Sequence, residues 1–117
     1  MGILTFMLSQ SIGIYYKDFD WASRLFNRIV EYYPQEYFAE CGIKKSKNNP
    51  RIEFKDGSVI RFVHASESAR GYCFSKIIMQ PGIDEEIIRC IIYPTLKHQN
   101  RKIMILKNEN DICFYQR

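Results

Sequence analysis

Short apolar runs that alternate with helix-like patterns constrain the fold of this chain more than any other feature. Apolar side chains dominate residues 3–8, 76–79 and 102–106, and polar segments separate the three runs. Runs of this length are typical of strands that are buried on both faces of a parallel sheet. We therefore expect an α/β fold in one domain of residues 1–117, with a small, mainly parallel sheet of four to five strands. Residues 112–115 are expected to add an antiparallel edge strand.

Two clear helices and one short helix are predicted between these strands. In the first helix, apolar residues recur at intervals of three and four and form one buried stripe. These residues are Ala22, Leu25, Phe26, Ile29, Val30 and Tyr33. Asp18 or Asp20 can cap this helix and Pro34 ends it. A short helix is expected over 35–41. The second clear helix is expected over 84–96, and its first turn is acidic, as the helix dipole favours.

A β-hairpin is predicted over residues 51–63, with its turn at Asp56-Gly57. A two-residue loop would place apolar side chains opposite charged ones. A three-residue loop that includes the next serine buries one face of the hairpin and pairs Glu53 with Arg61 on the other. We therefore expect the three-residue loop.

Charge and cysteine usage limit the classes of partner and cofactor. The net charge of +4 and the pI near 8.9 permit weak attraction to nucleic acid. No stretch of 18 apolar residues occurs, so we expect no membrane partner. The four cysteines form no C-x-x-C pair, and this spacing does not match a zinc site. We expect no metal or other cofactor, and reduced, mostly buried thiols in a cytoplasmic protein.

The predicted helices are too few to cover both faces of the predicted sheet. Parallel strands need cover on both faces. The chain also carries eight tyrosines, eight phenylalanines and one tryptophan, and some of these rings must reach the surface. We infer that another protein or a second copy of the chain covers part of the sheet or its aromatic margin.

The residues that NTP hydrolysis needs are missing from the expected positions. A phosphate-binding loop has the pattern G-x-x-x-x-G-K-S/T, but the expected loop 9–13 has no Lys-Ser or Lys-Thr and no other segment matches. The acid that organises magnesium should follow the apolar strand 76–79, where this chain has Gln80. The three acids at 84–86 are expected to favour the start of a helix rather than to bind a metal.

The order of these segments resembles the ATPase core of phage terminase large subunits, the motors that package viral DNA. The segments that carry the resemblance, between about residues 3 and 106, are the strand, turn and strand of 52–60, the loop Ser68-Ala69-Arg70-Gly71, the strand Ile77-Ile78-Met79, the helix 84–96 and the strand 102–106 at the place of the coupling motif. The resemblance implies a truncated P-loop-ATPase-like fold and a phage or prophage origin in a bacterial host. It does not imply ATP hydrolysis, because the phosphate loop is absent and Gln80 replaces the acid.

Five residues are candidates for contact with a partner or an anion. Arg70 lies between small residues, so its guanidinium is expected either to bind an anion at a sheet edge or to hold loop carbonyls. Arg51, Lys55 and Arg61 line the outer face of the predicted hairpin. With Tyr72 they form a surface for nucleic acid or for an acidic protein, the alternative being a solvated face. No catalytic residue is expected.

Three functions fit these observations. The first is a non-catalytic phage-type binding protein on a terminase-ATPase-like scaffold, which acts through contacts with a protein or with nucleic acid. The second is an anti-defence inhibitor, of the anti-CRISPR type, that occupies a surface of a host nuclease. The third is one part of a split DNA-packaging ATPase, in which another chain supplies the phosphate loop.

Overall fold

One mixed sheet of six strands forms the centre of the structure, which is a computed structural model. The model describes residues 10–46, 49–66, 69 and 71–96, and the backbone of 102–105. The strands are β1 (Ser11–Tyr16), β2 (Phe38–Lys44), β3 (Arg51–Phe54), β4 (Val59–His64), β5 (Lys76–Met79) and β6 (Lys102–Ile105). The predicted α/β class is confirmed, and the described residues contain six strands where four to five were predicted. The strands expected over 3–8 and 112–115 lie outside the described residues.

The strand order is β2-β3-β4-β1-β5-β6. Strand β1 pairs in parallel with β4 and with β5, and β5 pairs in parallel with β6. Strands β2, β3 and β4 pair antiparallel. The described sheet therefore has three parallel and two antiparallel pairings, and the carboxyl ends of β1, β4, β5 and β6 lie at one edge.

The first described strand lies where a loop was predicted. Residues 9–13 contain two serines and a glycine, which suggested a loop, but β1 begins at Ser11. Gly13 does not turn the chain. A Cβ atom at this position would lie 2.4 Å from the ring of Phe74, so the glycine makes room for that ring. The loop prediction was therefore wrong for residues 11–13, because the glycine is needed for contact with Phe74, which is far along the chain.

Helix α1 (Phe19–Tyr32) covers one face of the sheet and confirms the first helix prediction. Its buried stripe packs on the apolar side chains of the central strands. The helix residues in this core are Trp21, Ala22, Leu25, Phe26 and Ile29, and the strand residues include Ile12, Ile14, Ile52, Ile60 and Phe62. Burying side chains of this size stabilises the fold by about 1.5–3 kcal/mol each.

The short helix expected over 35–41 is not formed. A single 3₁₀ turn, Gln35–Tyr37, is followed directly by β2. Phe38 stacks on Phe54 of β3 at 5.4 Å, and the Lys55 amide donates to the Tyr37 carbonyl at 3.0 Å. These contacts with β3 and with the hairpin loop hold residues 38–44 in an extended strand instead of a helix. The pairing is irregular between Phe38 and Ile43, where Cys41 has a φ of 56°.

The second face of the sheet is covered mainly over β1 and β5. A helical segment of 85–95 begins as α2 (Glu85–Ile87) and continues through a π turn (Ile88–Ile92) and a 3₁₀ turn (Tyr93–Thr95), which confirms a helix in this region. Its side chains and Phe74 pack on residues of β1, β4 and β5. The buried residues of this second core are Tyr15, Val63, Ala69, Phe74, Ile77, Met79, Ile83, Ile91 and Ile92.

The hairpin forms with the predicted faces but in a different register. Its loop is Lys55-Asp56-Gly57, because the Phe54 amide donates to the Ser58 carbonyl at 2.9 Å. Gly57 has a φ of 95°, as expected for a type I turn closed by a glycine bulge. Both three-residue loops bury the same side chains, but the observed one places Arg51 opposite Arg61. The predicted pairing of Glu53 with Arg61 is therefore wrong.

Candidate functional site

Three cations lie in one row across neighbouring strands, and we call Lys44, Arg51 and Arg61 the basic row. Lys44 is the register partner of Arg51, and Arg51 is the register partner of Arg61. Residues that are directly opposite in a sheet point to the same face. Neighbouring strands are about 4.8 Å apart, so the row extends roughly 10 Å across the sheet.

The basic row lies on the face opposite helix α1. Ile52 and Ile60 point into the core under that helix, so Arg51 and Arg61, which alternate with them, point the other way. The second core contains no described residue of β2 or β3. All three cations are half-buried, and we call the part of this face over β2, β3 and the start of β4, which no described helix covers, the open face.

Glu53 is the carboxylate that lies within the basic row. Arg51 Nε donates to its Oε2 at 2.8 Å, and this hydrogen bond holds the pKa of Glu53 below its usual value. Burial opposes this effect and raises the pKa in part, and the positive charges of Arg51, Lys44 and Arg61 each lower it by a smaller amount. One carboxylate among three cations leaves the surface with a net positive charge. The other N–H donors of the Arg51 guanidinium can bind acceptors of a partner.

Arg61, the arginine at the inner end of the row next to β1, makes one long side-chain hydrogen bond. Arg61 Nη1 lies 3.4 Å from Oδ1 of Asn49, a long contact at an exposed position. Because a guanidinium carries five donors, this contact leaves most of them for other acceptors. Arg61 therefore has the freedom to reorient toward a phosphate or a carboxylate on the open face.

An aromatic pair continues the row onto the next strand. Gly13 of β1 is the register partner of Arg61, and the ring of Phe74 occupies the space above this glycine. Tyr72 stacks on Phe74 with ring centroids 5.5 Å apart and planes inclined by 11°. The Tyr72 side chain is 37% exposed, so it is available at the surface.

A shallow groove of about 280 Å³ lies beside Tyr72. Its lining joins the loop that carries Tyr72 to the helical segment of 85–95, and consists of Gly71, Tyr72, Cys90, Ile91, Pro94 and Thr95. The Thr95 hydroxyl donates to the Ile92 carbonyl at 2.6 Å and therefore accepts from the Tyr15 hydroxyl at 2.8 Å. The buried hydrogen bond between Tyr15 and Thr95 attaches the wall of the groove to β1.

Lys55, which was also predicted as a site residue, does not join the row. Lys55 is exposed in the hairpin turn, at the end of the strands rather than on their face. Arg70 lies outside the described residues. Sequence reasoning did not include Lys44 in the site, because its place in the row depends on the pairing of β2 with β3.

The amide at the end of β5 has a structural role. Gln80 is 8% exposed, and its Oε1 accepts from the backbone amides of Lys17 at 2.8 Å and Asp18 at 3.1 Å. Its Nε2 donates to Oδ2 of Asp18 at 3.2 Å. The side chain thus joins the carboxyl ends of β1 and β5. Within the described ranges, no group of three His, Cys, Asp or Glu side chains is placed to hold a metal ion.

The acids that follow β5 and the cysteines differ partly from expectation. Asp84 is at the N-cap position of α2 but makes no side-chain capping bond, and the residues at 84–86 are exposed. Cys41, Cys73 and Cys90 are free thiols, as expected, but they are exposed rather than buried. The apolar neighbours in sequence suggested burial, whereas β2 is an edge strand and Cys90 lies on the outer side of the helical segment.

No family model matches the chain, and no curated protein or solved structure matches it either. Among the helices of the described residues, none has the length and apolar character required to cross a membrane.

Proposed function

We propose that this chain is a non-catalytic binding protein whose working surface is the open face that carries the basic row, and that its partner is anionic. The observation that carries the proposal is the strand register, which aligns Lys44, Arg51 and Arg61 on a face that no described element covers. Charge complementarity of this kind accelerates association and selects partners of opposite charge.

The arrangement at the carboxyl ends of the parallel strands supports binding over chemistry. The Gln80 side chain uses both its oxygen and its nitrogen to join β1 to β5. A neutral amide committed to internal hydrogen bonds is a poor ligand for magnesium. The sequence also has no segment with the phosphate-loop pattern.

The proposal includes a mainly parallel, P-loop-ATPase-like scaffold of phage or prophage origin that acts in the bacterial cytoplasm. Two features support it. Strand β1 has a parallel neighbour on each side, and β6 extends the parallel part beyond β5. Gln80 follows β5 where terminase-like cores carry an acid, which agrees with a scaffold that lacks the motor chemistry. In this view the scaffold is retained for binding, and its contacts are with nucleic acid or with proteins that handle it.

A charge-reversal pair tests the proposal. Arg61→Glu changes the basic row, and Arg28→Glu makes the same change of charge on the exposed side of α1. We expect the purified wild-type protein to be retained on heparin and on immobilised DNA at low salt, Arg61→Glu to elute much earlier, and Arg28→Glu to elute close to the wild type. Circular dichroism and thermal unfolding check that both variants fold.

Two binding outcomes contradict the proposed function. One is a folded wild-type protein that no polyanion retains at low salt. The other is equal retention of the two charge-reversal variants, because net charge rather than the open face would then govern binding. ATP turnover by the purified chain would contradict the non-catalytic part of the proposal.

A further inference from the structure

We propose that the anionic partner is a single-stranded nucleic acid, whose phosphates contact the basic row while one of its bases stacks on Tyr72. This inference rests on the proposed function and names the partner of the same face. Such binding requires that the cations and an aromatic ring lie along one line across the sheet, so that a single strand of nucleic acid can contact them in order.

The sheet register provides this order. Lys44, Arg51 and Arg61 lie on β2, β3 and β4, and the next position in the same row is Gly13 on β1. Phe74 lies over Gly13 and carries Tyr72 on its outer side. One line across four neighbouring strands therefore passes over three cations and ends at an exposed aromatic ring.

The tyrosine ring is held in place before any ligand arrives. Phe74 is 1% exposed and meets the Tyr15 ring edge-on at 6.0 Å. Tyr72 lies nearly parallel to Phe74, so its outer surface has a fixed orientation. A ring that packing already orients loses little side-chain entropy when a base stacks on it. The groove of about 280 Å³ beside Tyr72 leaves space for the edge of that base.

The aromatic ring distinguishes a single strand from other anionic partners. Proteins that bind single strands combine a positive surface for the backbone with aromatic side chains for the bases. In a duplex the bases are stacked on one another and are not available to Tyr72. An acidic protein would satisfy the cations, but an unstacked base offers a flat ring that can lie face to face on Tyr72 at the end of their row.

Binding to oligonucleotides with and without bases tests the inference. Fluorescence anisotropy would compare a labelled oligothymidylate of about ten nucleotides, an abasic oligonucleotide of equal length, a duplex and polyglutamate. We expect the oligothymidylate to bind most tightly. Tyr72→Ala should weaken its binding by about 5- to 100-fold and leave binding of the abasic strand unchanged, since stacking contributes about this much per base.

Matched variants separate stacking from charge. Tyr72→Phe keeps the ring and should bind like the wild type. Tyr93→Ala removes an exposed tyrosine that does not line the groove, and it should also bind like the wild type. Arg61→Gln should weaken the oligothymidylate and the abasic strand alike. It should also reduce the slope of log affinity against log salt by about 0.7, the value for one phosphate contact on a single strand.

The failures are distinguishable. Equal affinity of the wild type for the oligothymidylate and the abasic strand would overturn the inference, as would tighter binding of the duplex or of polyglutamate. In these cases the difference between Arg61→Glu and Arg28→Glu on heparin would still support the proposed function. Absence of binding to all four probes would overturn both.

Discussion

The carboxamide of Gln80 holds the main chain and the side chain of Asp18 at once. Its Oε1 accepts from the Asp18 amide at 3.1 Å, and its Nε2 donates to the Asp18 carboxylate at 3.2 Å. Only a side chain with both an acceptor and a donor can make the two bonds together. An amide therefore suits this position, and an acid in its place would lack the donor.

Gln80→Glu should lower the free energy of unfolding by about 1–3 kcal/mol at pH 8, because two carboxylates would face each other and one donor would be lost. The loss should be smaller near pH 4, where carboxyl groups begin to protonate. Urea denaturation at both pH values measures it. Asp18→Asn in the Gln80→Glu background restores a donor and should recover stability at pH 8; no recovery would argue against this contact.

Gly13→Ala should destabilise the fold by about 1–3 kcal/mol, because the new methyl group would overlap the Phe74 ring. Phe74→Leu removes part of the ring, so the double variant should be less destabilised than the sum of the two single variants. Thermal or urea unfolding gives this coupling. Additive effects would show that the two residues do not compete for the same space.

Glu53→Gln should bind polyanions more tightly than the wild type, because it removes the carboxylate within the basic row. The pKa of Glu53 is lowered in the folded state, first by the hydrogen bond from Arg51. Its contribution to stability is therefore present above its unfolded pKa and is lost as the pH falls through the folded pKa. The variant should therefore be less stable than the wild type at pH 7, and this difference should disappear in acid.

Glu31→Gln is the control for the effect on polyanion binding, since it removes an exposed carboxylate from α1. It should change heparin retention much less than Glu53→Gln does. High salt should reduce the stability effect of Glu53→Gln, because the ion pair with Arg51 is partly exposed. Weaker polyanion binding by Glu53→Gln would contradict the assignment of this face.

Tyr15→Phe should cost about 0.5–1.5 kcal/mol, because the buried hydroxyl donates to Thr95. Burial raises the pKa of Tyr15 to about 12, so its hydroxyl ionises in the unfolded chain before it does in the folded one. The associated stability is present below pH 10 and is lost as the pH rises toward 12. Urea denaturation from pH 8 to pH 11 should show a shallower alkaline loss for Tyr15→Phe.

Tyr93→Phe, which removes an exposed hydroxyl, is the control for Tyr15→Phe. It should follow the alkaline stability curve of the wild type. If Tyr15→Phe follows that curve as well, the buried hydroxyl does not couple ionisation to folding.

Patterns confined to a few neighbouring residues predicted much of the fold. The stripe of α1, the apolar strand β5 and the faces of the hairpin follow from local periodicity. The hairpin register did not, because two three-residue loops bury the same side chains. The Asp56 side chain decides between them: its Oδ1 accepts from the Ser58 amide at 2.8 Å and fixes the turn one residue earlier than expected.

The candidate site was predicted in part. Arg51, Arg61 and Tyr72 were selected from the sequence, and the structure places all three on one face of the sheet, although no contact between Tyr72 and the arginines is observed. Lys44 was missed as a site residue, since a short helix was expected over 35–41 and the strand β2 that carries Lys44 was not predicted. No local signal identifies it, because apolar and polar side chains do not alternate over residues 38–44.

The sequence by itself determined the class of the fold, the buried faces of its elements and the lack of a phosphate-loop pattern, because these depend on residue order over short distances. Only the tertiary structure decided that Lys44, Arg51 and Arg61 share a row, that Phe74 lies over Gly13 and that Gln80 joins two strands. The reason is physical: strand register and close packing are set by contacts between segments that are far apart in the chain, and local periodicity is the same for several registers.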